Sequence, residues 1–243
     1  MSLEKTKGIV LHHIKYGETS IIATIYTEAF GRQAYMIKGA RKPKSKLRAN
    51  MFQPLFLLDM EVYHKTGREL QMIKEVKMSS PFADIPFDMR KSTVCLFLAE
   101  ILYRSLREEE QNPKLFNFIS ESISLFDQQE KFAPNFHLTF LLHLSRFLGF
   151  YPNDNYSDQK AIFDLKEGYF VTFAPVHKYF LNKLASYDFH VLLNTGYEDE
   201  LKFSSPDMRQ LLLDKILDFY HFHLEQMGDI KSIEVLREVF RKK

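Results

Sequence analysis

The sequence is short of several things. Its 243 residues include one cysteine, Cys95, and no tryptophan. A single thiol can form neither a disulfide within the chain nor a cysteine-based zinc site, and it fits a reducing compartment such as the cytoplasm. No apolar run approaches the ~20 residues that a membrane-spanning helix needs. The longest candidate, around Leu138–Leu148, is broken by His143, Ser145 and Arg146. The opening MSLEKTKGIVLHH lacks the apolar run of a signal peptide. Also missing are the phosphate-cradling and nucleophile-elbow signatures G-x-x-x-x-G-K-[ST], G-x-G-x-x-G and G-x-S-x-G. Nine histidines are present, but never in an H-x-x-x-H or H-E-x-x-H spacing. His12 and His13 are neighbours on a predicted strand and face opposite sides. His221 and His223 stand about 200° apart on a predicted helix. These absences point to a protein that is not an enzyme and carries no metal or cofactor.

Phenylalanine, by contrast, is abundant, with 23 residues supplying enough apolar area for a firm core. Charge is unevenly spread. Residues 1–80 hold 14 Lys/Arg against 7 Asp/Glu, while the whole chain carries only +2. The remainder is therefore acidic, and a basic module facing an anionic partner is implied.

The hydrophobic period changes along the chain. Residues 1–80 alternate as strands over Thr6–Ile14, Thr19–Thr27, Arg32–Lys38, Leu55–His64 and Glu69–Lys77, with turn residues at Gly17, Gly31 and Gly67. Five short strands in one segment predict a closed or nearly closed barrel, because closure removes sheet edges. An OB-type barrel is the natural candidate and an SH3-like barrel the alternative. Residues 79–89, with Pro81 and Pro86, read as a linker. From residue 90 to 243 the period is helical. Helices are predicted from Val94 through Leu102, after Asn112-Pro113, over Pro134–Leu148 and over Pro175–Tyr187. Two more run from Ser205 to Gly228 and over Ile230–Phe240. A polar excursion, residues 151–173, interrupts them with two short strands near Ile162-Phe163 and Tyr169–Thr172. The predicted class is α+β: a five-stranded OB-type barrel over 1–80, then an all-helical domain over 90–243 with a small zinc-free excursion.

One connection in the barrel is long, about fifteen residues from Gly39 to Pro54. It opens with Lys38, Arg41, Lys42, Lys44, Lys46 and Arg48, six cations in eleven residues without an acid. Arg forks onto phosphate oxygens, Lys acts as a point charge, and each contact releases a counterion. Arg32, on the third predicted strand, joins them as a candidate. Tyr26, Tyr35, Phe52 and Tyr63 are nearby aromatics; only Tyr63 shares its phase with Asp59 and Glu61 on the polar side of its strand, so it is the candidate stacking face. Cys95 and the acidic runs Glu108–Glu110 and Glu198–Glu200 read as core and solvated surface. An RNA-binding module with a helical partner-recruiting domain shares this charge pattern and is the alternative to DNA.

Several stretches together resemble one family. They are T-K-G-I-V-L at Thr6–Leu11, Y-G-E-T-S at Tyr16–Ser20, K-G-A-R-K-P-K-S at Lys38–Ser45, L-F-L-L-D-M-E-V-Y at Leu55–Tyr63, F-L-A-E-I-L at Phe97–Leu102 and F-L-G-F-Y-P at Phe147–Pro152. In this order along the chain they resemble the RecO family of bacterial recombination and repair mediators. The resemblance implies an OB fold followed by a helical domain, binding of single- and double-stranded DNA, and annealing of complementary strands. It also implies loading of recombinase together with RecR, docking of the C-terminal tail of single-stranded DNA-binding protein (SSB), and a nucleoid-associated place in the cytoplasm. Arg104, Arg107 and Arg146 are candidates for the tail site. Many members carry a four-cysteine zinc module after the L-G-[FY] helix. The equivalent here, Tyr151–Phe173, has no cysteine. Its hold is expected from Tyr156, Phe163, Leu165, Tyr169 and Phe170 instead.

Overall fold

A computed structural model describes residues 2–241, with side chains through 240. The chain forms two compact units. One comprises Met1–Glu130 and Ile230–Lys243, the other Lys131–Asp229.

The first unit begins with the barrel. Its strands are β1 (Ser2–Tyr16), β2 (Ser20–Thr27), β3 (Gly31–Ile37), β4 (Leu57–His64) and β5 (Leu70–Met78). They close in the order β1-β2-β3-β5-β4, with β4 returning to β1. All pairs are antiparallel except β3 with β5. That parallel pair, made possible by the long connection after β3, gives the order of an OB fold and sets the SH3-like alternative aside. Alternation places Ile21, Ala23 and Ile25 of β2, Tyr35 and Ile37 of β3, and Leu58, Met60 and Val62 of β4 inside.

Strand β1 serves two partners. Ser2–Ile9 pairs with β4 and Gly8–Tyr16 with β2. A bulge between Val10 and His12 bends it from one to the other. Gly8 lies where the two pairings overlap. A Cβ there would stand 2.6 Å from both Ile25 Cγ2 and Met60 Cε, so the barrel is drawn tight around a missing side chain. The connection from β3 to β4 closes an end of the barrel. Ala40 and the fully buried Phe52, at the end of a 3₁₀ turn over Ala49–Phe52, belong to the barrel core, and Leu47 packs against it. Leu55 takes a left-handed conformation at φ 63°, unusual for a branched residue. It is held there by full burial and by its N–H donating to Val10 O at 2.7 Å.

Helices α1 (Met89–Ser105) and α2 (Pro113–Gln128) follow the barrel in the same unit. Asp88 and Asn112 cap them, accepting from Arg90 N and Leu115 N, and Pro113 opens α2. The linker before α1 is fastened by one carboxylate: Asp127 accepts from the N–H groups of Ala83, Asp84 and Ile85 at 2.7, 3.0 and 2.8 Å. Beside it Lys91, only 1% exposed, donates through Nζ to Asp127 O and Gln129 O at 3.1 and 2.7 Å. It also pairs with Asp84 at 2.6 Å. These carbonyls end α2 and would otherwise be buried without donors.

The second unit holds α3 (Phe136–Phe147), α4 (Lys183–Leu193), α5 (Met208–His223) and a small sheet. α3 is buried on most sides, as its composition predicts, and Tyr220 of α5 donates its hydroxyl to Leu141 O. α6 (Ser232–Arg241) returns to the first unit and packs on α1. Three expectations need correction here. The helix predicted over Pro175–Tyr187 is instead a turn, a two-residue strand β8 (Phe180–Leu181) and the start of α4. Asn182 sets that start, its side chain accepting from Ala185 N at 2.9 Å, and Val176 is fully exposed. α5 ends at His223, ahead of Gly228. In the excursion, β6 (Ile162–Asp164) pairs with both β7 (Tyr169–Val171) and β8. Phe163, Leu165 and Phe170 are buried and Tyr156 packs edge-on against Phe170 at 5.3 Å, but Tyr169 is 39% exposed. It alternates with Phe170 and so must face outward when Phe170 faces in.

Candidate nucleic-acid interface

All six loop cations, Lys38, Arg41, Lys42, Lys44, Lys46 and Arg48, are exposed. Among the described residues none of them is in an ion pair. Six like charges on a solvated loop repel one another, and among the described residues no carboxylate pairs with them. The backbone beneath is nonetheless fixed. Lys42 N donates to Gly39 O at 3.0 Å, Ser45 N to Lys42 O at 3.1 Å, and Ala49 N to Ala40 O at 3.0 Å. Ser45 Oγ donates to Leu47 O at 3.1 Å. With Ala40, Leu47 and Phe52 anchored in the core, the cations stand on a largely pre-formed loop, which lowers the ordering cost of binding.

The loop also leans on the β1–β2 hairpin. Arg41 N donates to Thr19 O at 2.9 Å, and Arg41 Nη1 reaches Gly17 O at 3.4 Å. Lys15 and Tyr16 at the hairpin tip are exposed. Tyr16 was not singled out from the sequence, although the Y-G turn pattern sits there. Tyr26, Tyr35 and Phe52 are core residues with 3%, 0% and 0% exposure, leaving Tyr63 as the half-exposed member of the aromatic set.

Arg32 is occupied elsewhere. Its Nη1 donates to Tyr103 O at 2.9 Å and Leu106 O at 2.7 Å, and its guanidinium lies 4.6 Å from the Tyr103 ring. Burial pulls its pKa below the usual arginine range. Its backbone N–H donates to Glu108 O, and Gly31 beside it leaves room for that backbone: a Cβ would stand 2.6 Å from Glu108 O. Arg32 thus caps the end of α1 against the barrel and does not extend the loop's cationic surface. The candidates for a tail site fall in different units. Arg104, 3.7 Å from Glu100, and the exposed Arg107 are in the first, and Arg146 is in the second. Arg146 donates to Tyr151 Oη at 2.7 Å and lies over that ring at 4.0 Å.

The recombination protein O N-terminal family model matches residues 1–82, and the recombination protein O C-terminal model matches residues 86–232. The chain belongs to the RecO family. It is 38% identical over 239 residues to the DNA repair protein RecO of Phocaeicola vulgatus, covering 98% of this chain and 99% of that protein. The DNA repair protein RecO of Bacteroides fragilis is 38% identical over 240 residues, with the same coverage. That of Flavobacterium psychrophilum is 36% identical over 244 residues, covering 97% and 98%. This is a family of DNA repair and recombination proteins. Residues 151–173 contain no cysteine, and Phe163, Leu165 and Phe170 fill the interior of the excursion. Among the described residues no helix is long and apolar enough to cross a membrane.

Proposed function

We propose that the chain is a non-catalytic mediator of recombinational repair that binds single- and double-stranded DNA through the basic loop of its barrel, anneals complementary strands, and helps load recombinase with RecR. Six exposed, unpaired cations on a pre-formed loop carry this reading. Residues 1–80 would hold DNA, and residues 90–243 would recruit partners, among them the SSB tail. Membership of the RecO family supports the assignment of partners and a nucleoid-associated place in the cytoplasm.

Replacing Arg41, Lys42, Lys44 and Lys46 by Ala tests the loop. These side chains are exposed, so stability should hold while affinity for both single strands and duplex falls. With six phosphate contacts, raising salt from ~50 to ~200 mM should weaken single-strand binding by roughly 300-fold in the parent chain. Losing four contacts should lower the salt slope by about three. Unchanged affinity in the quadruple variant would sink the assignment. An annealing assay with SSB-coated complementary oligonucleotides, with and without RecR, tests the mediator role.

A further inference from the structure

The barrel closes unevenly. β5 pairs with β3 only over Leu70–Met72, while its ladder with β4 runs on to Met78. From Ile73 onward no strand lies on the β3 side of β5. Lys74 is the extra residue of a bulge, since Glu61 faces Glu75 and Val62 faces Ile73. Beyond it Glu75, Val76, Lys77 and Met78 are exposed or half-buried. Strand geometry fixes which of their backbone groups are free. Ser79 N donates to Leu57 O at 2.9 Å, which makes Leu58 and Met78 a non-hydrogen-bonded pair. Alternation makes Met60 and Val76 another such pair. The N–H and C=O groups of Val76 and Met78 therefore point away from β4, toward the open side. Among the described residues no other backbone group meets them.

The charges beside this edge are not balanced within the chain. Glu75 lies directly across from Glu61, a like charge, and among the described residues it is in no ion pair. Glu61 is already taken by Lys74 at 3.1 Å and Lys5 at 3.7 Å. Lys77 reaches Asp59 at 3.6 Å but keeps 79% of its side chain exposed. Between the two charges Val76 turns inward and packs against the barrel core. An unpaired edge is a template for another strand, and a lysine on it ordinarily repels a copy of itself. Here the sequence Lys74-Glu75-Val76-Lys77-Met78 removes that repulsion when it is paired with itself. Laid antiparallel about Val76, each Glu75 falls opposite a Lys77.

We propose that this edge is a self-association surface, on which two copies of the chain join β5 to β5 in an antiparallel ladder with Val76 on the two-fold axis. Hydrogen bonding and charge select the same register. The outward-pointing groups of one Val76 meet those of the other and exchange N–H···O=C bonds. Glu75 and Lys77 then fall in non-hydrogen-bonded pairs, where cross-strand side chains stand closest, and each Glu75 gains from the second copy the cation it lacks. A slip of one residue would face these free groups with groups already spent on β4. A slip of two would set Glu75 on Glu75 or Lys77 on Lys77. The ladder is short of the area of a permanent dimer, so the pair is weak and depends on concentration. A pair carries two basic loops, one for each of two strands to be annealed. That consequence rests on the DNA-binding reading of the loop; the self-association does not, and is measured without DNA.

Sedimentation velocity of the full chain across a concentration series should show the average mass rising from one chain toward two. Lys77→Glu and Glu75→Lys should each weaken association about tenfold, because either one sets like charges across both pairs. Mixed together, the two single variants should associate with each other, since every 75–77 pair then joins opposite charges. The double variant Glu75→Lys with Lys77→Glu should associate like the parent. Val76→Pro removes an N–H aimed at the second copy and none from the β4 ladder, so it should abolish pairing while the thermal midpoint stays near that of the parent. In the parent, amide exchange at Val76 and Met78 should slow as concentration rises. A parent that stays monomeric throughout overturns the proposal. So does a pair that Lys77→Glu, Glu75→Lys and Val76→Pro all leave intact. A mixture and a double variant as weak as the single ones would overturn the two-fold register.

Discussion

Lys91 shows how much one side chain can hold. Its ammonium serves the last carbonyls of α2 and a carboxylate of the linker from a site that water does not reach. Lys91→Met keeps most of the volume and removes the donors, leaving buried acceptors unmet. About 2 kcal/mol of stability should be lost, visible as a lower urea midpoint, with DNA affinity unaffected. Nothing in the sequence distinguishes Lys91 from the other lysines. Its burial is decided by where α2 ends, which is a tertiary fact. The loop cations are the opposite case. Exposure and charge are the defaults for such residues, so Lys38 to Arg48 were legible from composition alone. Arg32 resembled them in type, but its neighbours in space, Tyr103 and Leu106, lie more than 70 residues away in the chain.

At the level of elements, alternation made the five strands readable to within a few residues, because one face of each is buried and the period is short. The stretch Pro175–Tyr187 failed for a related reason. Val176, Tyr179, Phe180 and Leu184 have helical spacing, yet they belong to a turn, a strand and a helix, and the cap at Asn182 outweighs the period. The start of α6 is held by an acid of α1. Glu100 of α1 accepts from Lys231 N, Ser232 N and Ser232 Oγ at 3.2, 2.8 and 2.6 Å, at the positive end of the helix. Burial pushes its pKa up, but the hydrogen bonds from Ser232 and Lys231 outweigh this and hold it below the ordinary carboxylate range. The stabilisation is therefore present above the unfolded-state pKa and fades as pH falls through the folded one. Glu100→Ala should speed hydrogen exchange throughout α6 at neutral pH while leaving β1–β5 protected. Uniform protection in both chains would remove Glu100 from this role.

The whole molecule combines two compact units, and acid should affect them differently. In the second unit, burial drives the pKa of His137 down to about 3, with the Arg209 charge adding to the effect. Between the ordinary histidine value and that one, the unfolded chain takes up a proton that the folded chain refuses. Stability is thus full above about pH 6.5 and falls as pH drops toward 3. From pH 7 to 5 the loss should be about 2 kcal/mol. Calorimetry should resolve two transitions, and His137→Gln should flatten the acid dependence of the one belonging to 131–229. A single transition with unchanged pH dependence would contradict both points. The split into units was not legible as such. The linker at 79–89 suggests a break after the barrel, but Asp127 ties that segment to α2, and the hydrogen bonds of one carboxylate have no sequence signature.

The return of α6 to α1 also bears on synthesis. Residues 131–229 leave the ribosome as an unbroken stretch, complete before the segment that finishes the barrel's own unit has been translated. Nearly a hundred codons separate the end of the barrel unit's first segment from its last helix. During that interval the α1 surface that α6 will cover is open to whatever else the nascent chain meets.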